Sequence, residues 1–245
     1  MEKIKILLII PAYNEESNIL NTINKIKEYN RKNELKYDYI VINDGSKDNT
    51  EDILIKNKMP HIKLIHNLGI GGAVQTGYKY AYKNGYDIAV QFDGDGQHDI
   101  NYVFDIINPI INKKTDFTVG SRYVDKSKSK FQSTKARQIG ISLISKAIKL
   151  VTGKKILDTT SGFRACNKKI IKEFNDFYPL EYPEPITTTE LIKKGYKVAE
   201  IPVSMNERDG GRSSIRAWKN IYYMVNVCLS IIIVGLRRYK KWHYH

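Results

Sequence analysis

The sequence predicts an α/β domain built on a mostly parallel, doubly wound sheet with helices on both faces. Three observations lead there. Short apolar runs alternate with amphipathic stretches through the first 120 residues. The runs are almost continuously apolar, as strands buried on both faces must be. Each is followed closely by polar and glycine residues, at what would be the carboxyl edge of the sheet, where such folds bind ligands.

The elements follow in order. Ile4–Ile10 reads as a buried first strand ended by Pro11, with no small-residue cleavage site that would make it a signal peptide. Ser17 or Asn18 can cap a helix whose Ile19, Ile23 and Ile26 recur at helical spacing. Tyr37–Asn43, Ile62–His66 and Tyr86–Phe92 are the second, third and fourth strands. Between the last two, "GGAVQTGYKYAYKNG" is helical and stops at Asn84-Gly85. Asp99 can cap a helix through about Asn112, and Asp116–Gly120 is a fifth strand. Ser121–Gln138 is polar and basic, a loop over the carboxyl edge, and Ile139–Val151 is amphipathic. "DTTSGFRACNK" (158–168) and "GYKVAEIPVSM" (195–205) supply further strands beside the first sheet. No repeat and no linker interrupts the chain before about Gly210, so residues 1–212 form one main domain and 213–245 a C-terminal helix.

Composition narrows the class. Hydrophobic residues make up 42% of the 245, enough for a sizeable core, and 27% are charged. The 40 Lys and Arg against 26 Asp and Glu leave a net charge of +14, suited to phosphorylated substrates, nucleic acid or an anionic membrane face, or else a mark of biased codon usage. No basic, aromatic-interleaved strand supports nucleic acid. Cys166 and Cys228 are the only cysteines, which fits a reducing compartment and a cytoplasmic protein.

The stretch "VQFDGDGQHD" (90–99) places three aspartates within seven residues at a strand end. Carboxylates so close repel one another unless a cation lies between them, and a hard cation such as Mg²⁺ is typically held by one or two carboxylates plus substrate phosphates. An EF-hand loop starting at Asp93 fails, because its sixth and twelfth positions are His98 and Phe104 instead of Gly and Glu. "GIGGAVQTG" fails as a dinucleotide fingerprint, with Val74 where the third glycine belongs. Asp99 is assigned to capping the next helix. Arg122, Arg164 and Arg212 offer forked donors suited to phosphate.

"PAYNE" (11–15), "NDGS" (43–46), "NLGIGGA" (67–73), "DGDGQ" (93–97), "GSRY" (120–123) and "SGFR" (161–164) occur in an order that strongly resembles glycosyltransferase family 2, the inverting enzymes with a GT-A nucleotide-sugar fold. The likeness is to its dolichol-phosphate mannosyltransferase-like branch and related bacterial polysaccharide enzymes, over about residues 4–214. The resemblance implies a nucleotide-diphosphate sugar donor, Mn²⁺ or Mg²⁺ as cofactor, and a lipid-linked or glycan acceptor. It assigns Asp95 as main metal ligand, Gln97 assisting, and Asp93 to the sugar or ribose and to the metal through water. Pro11, Tyr13, Glu15 and Asp44 become the nucleoside edge, although Glu15 could instead stabilise its helix. Arg122 and Arg164 become candidates for donor diphosphate or acceptor phosphate. Asp158 either orients Arg164 or acts in catalysis.

A sugar hydroxyl acceptor needs a carboxylate base, whereas a lipid phosphate is already ionised and needs none. "YPEPITTTE" offers Glu184, held between two prolines, and Glu190, which begins a surface helix; Glu184 is preferred. That Pro-Glu-Pro departs from the dolichol-phosphate branch. Ile221–Leu236 is sixteen residues long, against the roughly 20 a membrane span needs, and "RRYKKW" follows. It is read as a peripheral anchor on the cytoplasmic face of an anionic membrane, the alternative being a helix packed on the core. A different class, a non-catalytic nucleotide-sugar-binding partner of a membrane glycan-assembly complex, is opposed by the presence of both Asp93 and Asp95.

Overall fold

A computed structural model describes residues 4–125, 135–205 and 217–239, with backbone alone at 135–137 and 217–223. Seven strands form one sheet: β1 (Ile6–Ala12), β2 (Asp38–Asn43), β3 (His61–Lys63), β4 (Ile88–Gln91), β5 (Phe117–Ser121), β6 (Arg164–Asn167) and β7 (Val198–Pro202), in the order β3-β2-β1-β4-β6-β5-β7. All neighbours run parallel except β6, which is antiparallel to both β4 and β5. The mostly parallel α/β architecture is the one expected; the reversal at β6 is not legible in the apolar runs. β1 is buried at every residue, which explains its unbroken hydrophobicity.

Among the described residues eight α-helices cover the sheet: α1 (Ile19–Lys32), α2 (Thr50–Lys56), α3 (Gly69–Lys83), α4 (Val103–Ile111), α5 (Lys135–Thr152), α6 (Lys168–Asp176), α7 (Pro183–Lys193) and α8 (Ala217–Leu236). Ile19, Ile23 and Ile26 of α1, Leu54 of α2 and Val103, Ile106, Ile107 and Ile110 of α4 pack on one face of the sheet. Val74 and Tyr78 of α3, Ile170 and Phe174 of α6, Ile144 and Ile148 of α5 and Leu191 of α7 pack on the other. Asn18 is the N-cap of α1 by position, without a side-chain cap bond. Asp99 caps as predicted, accepting from Asn101 N at 3.0 Å, but the element is a short 3₁₀ turn (Ile100–Tyr102) that leads into α4.

Several sequence expectations change. The first strand does not end at Pro11 but runs through it to Ala12, and the third covers His61–Lys63 instead of Ile62–His66. The loop assigned to 121–138 yields to α5 from Lys135, and its 126–134 portion lies outside the described residues, as does Arg212. α2 and α6 are unassigned above: α2 is only seven residues long, whereas α6 does carry a helical signal in Ile170, Ile171 and Phe174, cut short at nine residues. Glu190 does not begin its helix. α7 starts at Pro183, and both Pro183 and Pro185 occupy first-turn positions whose N–H groups would have no intrahelical partner anyway.

α8 packs against α5 and α7 and contributes Val227, Ile231 and Val234 to the core. A Cβ on Gly235 would lie 2.6 Å from the Val151 Cβ, so glycine lets the two helices approach closely. Its other side exposes Val225, Leu229, Ile232, Ile233 and Leu236. Among the described residues no helix is long and apolar enough to cross a membrane. The boundary drawn at 212/213 falls outside the described residues.

Candidate active site

The site lies along the carboxyl ends of β1, β2, β4 and β5, and at the amino end of the reversed β6. At its first edge, the Asp44 N–H donates to the Ala12 carbonyl at 2.8 Å, tying the ends of β2 and β1 together. Pro11 is buried in β1, and Tyr13 just beyond it is exposed. Asp44 is buried and accepts from Leu68 N at 2.7 Å at the start of α3; burial raises its carboxyl pKa against the backbone N–H groups of Leu68 and Gly69. Glu15 is also buried, its Oε2 accepting from Asn18 Nδ2 at 2.9 Å. The structure thus brings Pro11, Tyr13, Glu15 and Asp44 together on one rim.

The acidic turn follows β4. Asp93, Asp95 and Gln97 keep exposed surface while Gly94, Gly96 and His98 turn inward. Gly96, at φ +79°, and an Asx bond from Gln97 N to Asp95 Oδ1 at 3.0 Å close the turn. His98 is one of the residues whose role is not read from the sequence. Its Nδ1 accepts from Asp93 N at 2.9 Å, so the proton sits on Nε2, 3.4 Å from Asp93 Oδ2. Burial pulls its pKa down to about 4, with the charges of Asp95 and Asp158 opposing, so the ring is neutral near pH 7. It stacks on Phe163 of "SGFR", centroids 4.5 Å apart. His98 therefore orients Asp93 and joins the turn to β6.

The donors this turn presents are hard oxygens, two carboxylates and a carboxamide, and they suit Mn²⁺ or Mg²⁺. Among the described residues no three His, Cys, Asp or Glu side chains cluster as a complete metal cage. A site with two carboxylates is completed by substrate phosphates, the usual arrangement for Mg²⁺.

Two arginines face this turn from the other half of the sheet. Arg122, just past β5, forms a forked pair with the fully buried Asp158: Nε to Oδ2 and Nη2 to Oδ1, both 2.8 Å, with its own N–H also on Oδ2 at 3.0 Å. Burial would lower its pKa, but the bonds and charge of Asp158 outweigh that and raise it. Asp158 is held in turn by Glu200 of β7, whose carboxylate accepts from Leu157 N and Asp158 N at 2.8 Å each. So the arginine that Asp158 orients is Arg122, and the expectation that it serves Arg164 is corrected: the loop before β6 turns back to the end of β5.

Arg164 is 1% exposed and has only neutral oxygens as hydrogen-bond partners among the described residues, Ser161 O at 2.6 Å and Thr187 Oγ1 at 3.0 Å. Its register partner across the sheet is Gln91. Glu184, in the first turn of α7, keeps some exposed surface. Burial raises its pKa, Arg164 draws it back and Asp93 pushes it up again, which puts the three charges in one neighbourhood. A Cβ on Gly162 would stand 3.0 Å from both Asp93 Oδ2 and Gln91 Nε2, so the "SGFR" loop abuts the acidic turn itself. Gln91 could have been noticed as a polar break in an apolar run; Thr187 and Glu200 leave no such signal.

A mostly parallel sheet of this order, with a polar rim at β1 and β2 and an outward acidic turn at the end of β4, is the setting in which the class of the protein is decided by its relatives: it is a glycosyltransferase. The glycosyl transferase family 2 model matches residues 7–174, and the chain belongs to that family. A UDP-N-acetylglucosamine–dolichyl-phosphate N-acetylglucosaminyltransferase of Methanococcus voltae is 36% identical over 219 residues, covering 81% of this chain and 84% of that one. An undecaprenyl-phosphate mannosyltransferase of Micrococcus luteus is 26% identical, covering 86% and 87%. Glucosyl-3-phosphoglycerate synthase of Mycobacterium tuberculosis, solved with Mn²⁺, UDP-glucose and phosphoglyceric acid, has the same fold at a TM-score of 0.66 and 17% identity, covering 94% and 79%.

Proposed function

We propose that this glycosyltransferase is metal-dependent and inverting, and that it moves a sugar from a nucleotide diphosphate to a polyprenyl phosphate in cell-envelope or glycan synthesis. The observation that carries the reading is the outward presentation of Asp93, Asp95 and Gln97 at the end of β4, in a chain whose relatives are named for polyprenyl-phosphate acceptors. Asp95, with Gln97 and with Asp93 through water, would hold Mn²⁺ or Mg²⁺. When bound, the metal neutralises charge developing on the departing nucleotide diphosphate.

The chain's own residues supply the rest. Asp44, Tyr13, Pro11 and Glu15 seat the nucleoside, and His98 fixes the direction of Asp93. Arg122 spends its Nε–Nη2 fork on Asp158, so at the end of β5 it acts toward an acceptor phosphate as a fixed positive charge and not as a forked donor. Asp158 acts by positioning that arginine, since both of its oxygens are engaged. Arg212 is assigned to phosphate from its sequence setting alone. A phosphate acceptor is ionised near neutral pH, so Glu184 need not take a proton; as a general base it belongs to the second reading, a lipid-linked glycan hydroxyl.

The reading also places the protein on the cytoplasmic face of the membrane. Its support is the apolar row Val225, Leu229, Ile232, Ile233 and Leu236 on α8, ending at the exposed Arg237 and Arg238. Wild type should float with anionic vesicles in a salt-sensitive way and lose that on deletion from Arg237 onward; indifference to such vesicles leaves α8 a purely structural helix.

The deciding experiment presents several labelled nucleotide sugars with polyprenyl phosphates, with and without Mn²⁺ and EDTA. Metal-dependent formation of a polyprenyl-phosphate sugar of inverted anomeric configuration is expected. Binding of nucleotide sugar with no transfer to any acceptor supports the non-catalytic partner instead.

A further inference from the structure

We infer that Arg164 is a positioning residue, a strap from β6 to the first turn of α7 that fixes the backbone carrying Glu184, and is not a phosphate ligand. The inference rests on the functional reading above only in taking that turn as part of the active site.

Phosphate recognition by arginine needs a fork open to the ligand. Arg164 is almost fully buried, with Nε committed to Ser161 O and Nη1 to Thr187 Oγ1; Nη2 has no hydrogen-bond partner among the described residues but is itself buried, so no open fork is presented. Thr187 passes the connection on, donating to Pro183 O at 2.6 Å. Thr188 donates to Glu184 O at 2.8 Å and Thr189 to Pro185 O at 2.7 Å. Three consecutive threonines thus bond back onto the three residues that begin the helix, and only Thr187 also reaches the sheet. A helix opening with Pro at two of its first three positions has few N–H groups to anchor it, so such side-chain ties matter more than usual.

The backbone shows why a tie is needed. Tyr182, immediately before Pro183, sits at φ +51° and ψ +47°, a left-handed conformation that is costly for a bulky residue. Such a conformation persists only where its surroundings fix it. Glu184 follows two residues later, close enough to Arg164 and Asp93 to feel both charges. A shift of this turn would move Glu184 with it.

The test compares Thr187→Val, which removes the hydroxyl, with Thr187→Ser, which keeps it. In nucleotide-free protein, amide exchange over residues 184–189 should speed up about tenfold in T187V, the effect of one lost buried hydrogen bond. T187S should match wild type. With nucleotide sugar and polyprenyl phosphate, kcat of T187V should fall roughly tenfold to a hundredfold through misplacement, with donor KM unchanged and T187S restoring the rate. Unchanged exchange in T187V overturns the strap. Weakened UDP binding in T187V or Arg164→Lys without faster exchange also overturns it, in favour of a phosphate ligand. If no acceptor receives sugar, the functional reading fails while the exchange comparison still decides the strap.

Discussion

The two halves of the sheet build their shares of the site differently. In the parallel half, β1, β2 and β4 each deliver residues directly from a strand end, held through backbone N–H groups: Asp44 N donates to Ala12 O, Leu68 N to the Asp44 carboxylate and Asp93 N to His98 Nδ1. In the mixed half, groups around β5, β6 and β7 are held by side chains distant in sequence: the Arg122 guanidinium by Asp158, the Asp158 backbone N–H by Glu200, and the Arg164 guanidinium by Thr187. The first half tolerates a changed side chain because the backbone keeps its geometry. The second has less reserve, because its buried charges depend on partners distant in sequence, Asp158 for Arg122 and Thr187 for Arg164.

The sharpest way to break the comparison is Asp158→Asn. It leaves the Arg122 guanidinium buried without its countercharge, and urea unfolding should show a loss of about 3–5 kcal/mol. A loss below about 1 kcal/mol would mean that the mixed half does not depend on its side-chain pairs. Asp95→Asn probes the other half and should do the opposite. Metal-dependent transfer should drop at least about 10²-fold, the loss of several kcal/mol of charge stabilisation. Its melting temperature should hold, because removing one carboxylate relieves repulsion in the turn. Full activity of this variant, or of wild type in EDTA, would end the metal assignment.

Gly162→Ala tests the seam between the halves. Its added Cβ presses on Asp93 Oδ2 and Gln91 Nε2, and overpacking of this kind costs about 1–3 kcal/mol. Titration with Mn²⁺ should show weaker metal binding as Asp93 is displaced; unchanged metal affinity would mean that the turn adjusts independently of β6. The smallest effect is expected from Glu184→Gln. With a polyprenyl phosphate acceptor the rate should change by less than about tenfold, whereas a hydroxyl acceptor deprived of its base would lose about 10²–10⁴-fold. Transfer rates for this variant on both acceptor types separate the two readings.

The sequence by itself determined the α/β class, the strand-end placement of the motifs, the acidic turn and its metal-suited oxygens, and the family. These are local properties: a buried strand must be apolar, and a turn needs its glycines within a few residues. Only the tertiary structure decided that β6 runs antiparallel, that Asp158 serves Arg122, that neutral His98 orients Asp93, that Arg164 ties down α7, and that Glu184 opens that helix. Each of these is a pairing across the fold, such as Arg122 with Asp158 or Arg164 with Thr187. The pairs are joined by hydrogen bonds between residues 23 and 36 positions apart. Nothing in the neighbouring residues encodes such a partner, because direction and burial of a polar side chain are settled only when the strands have taken their order in the sheet.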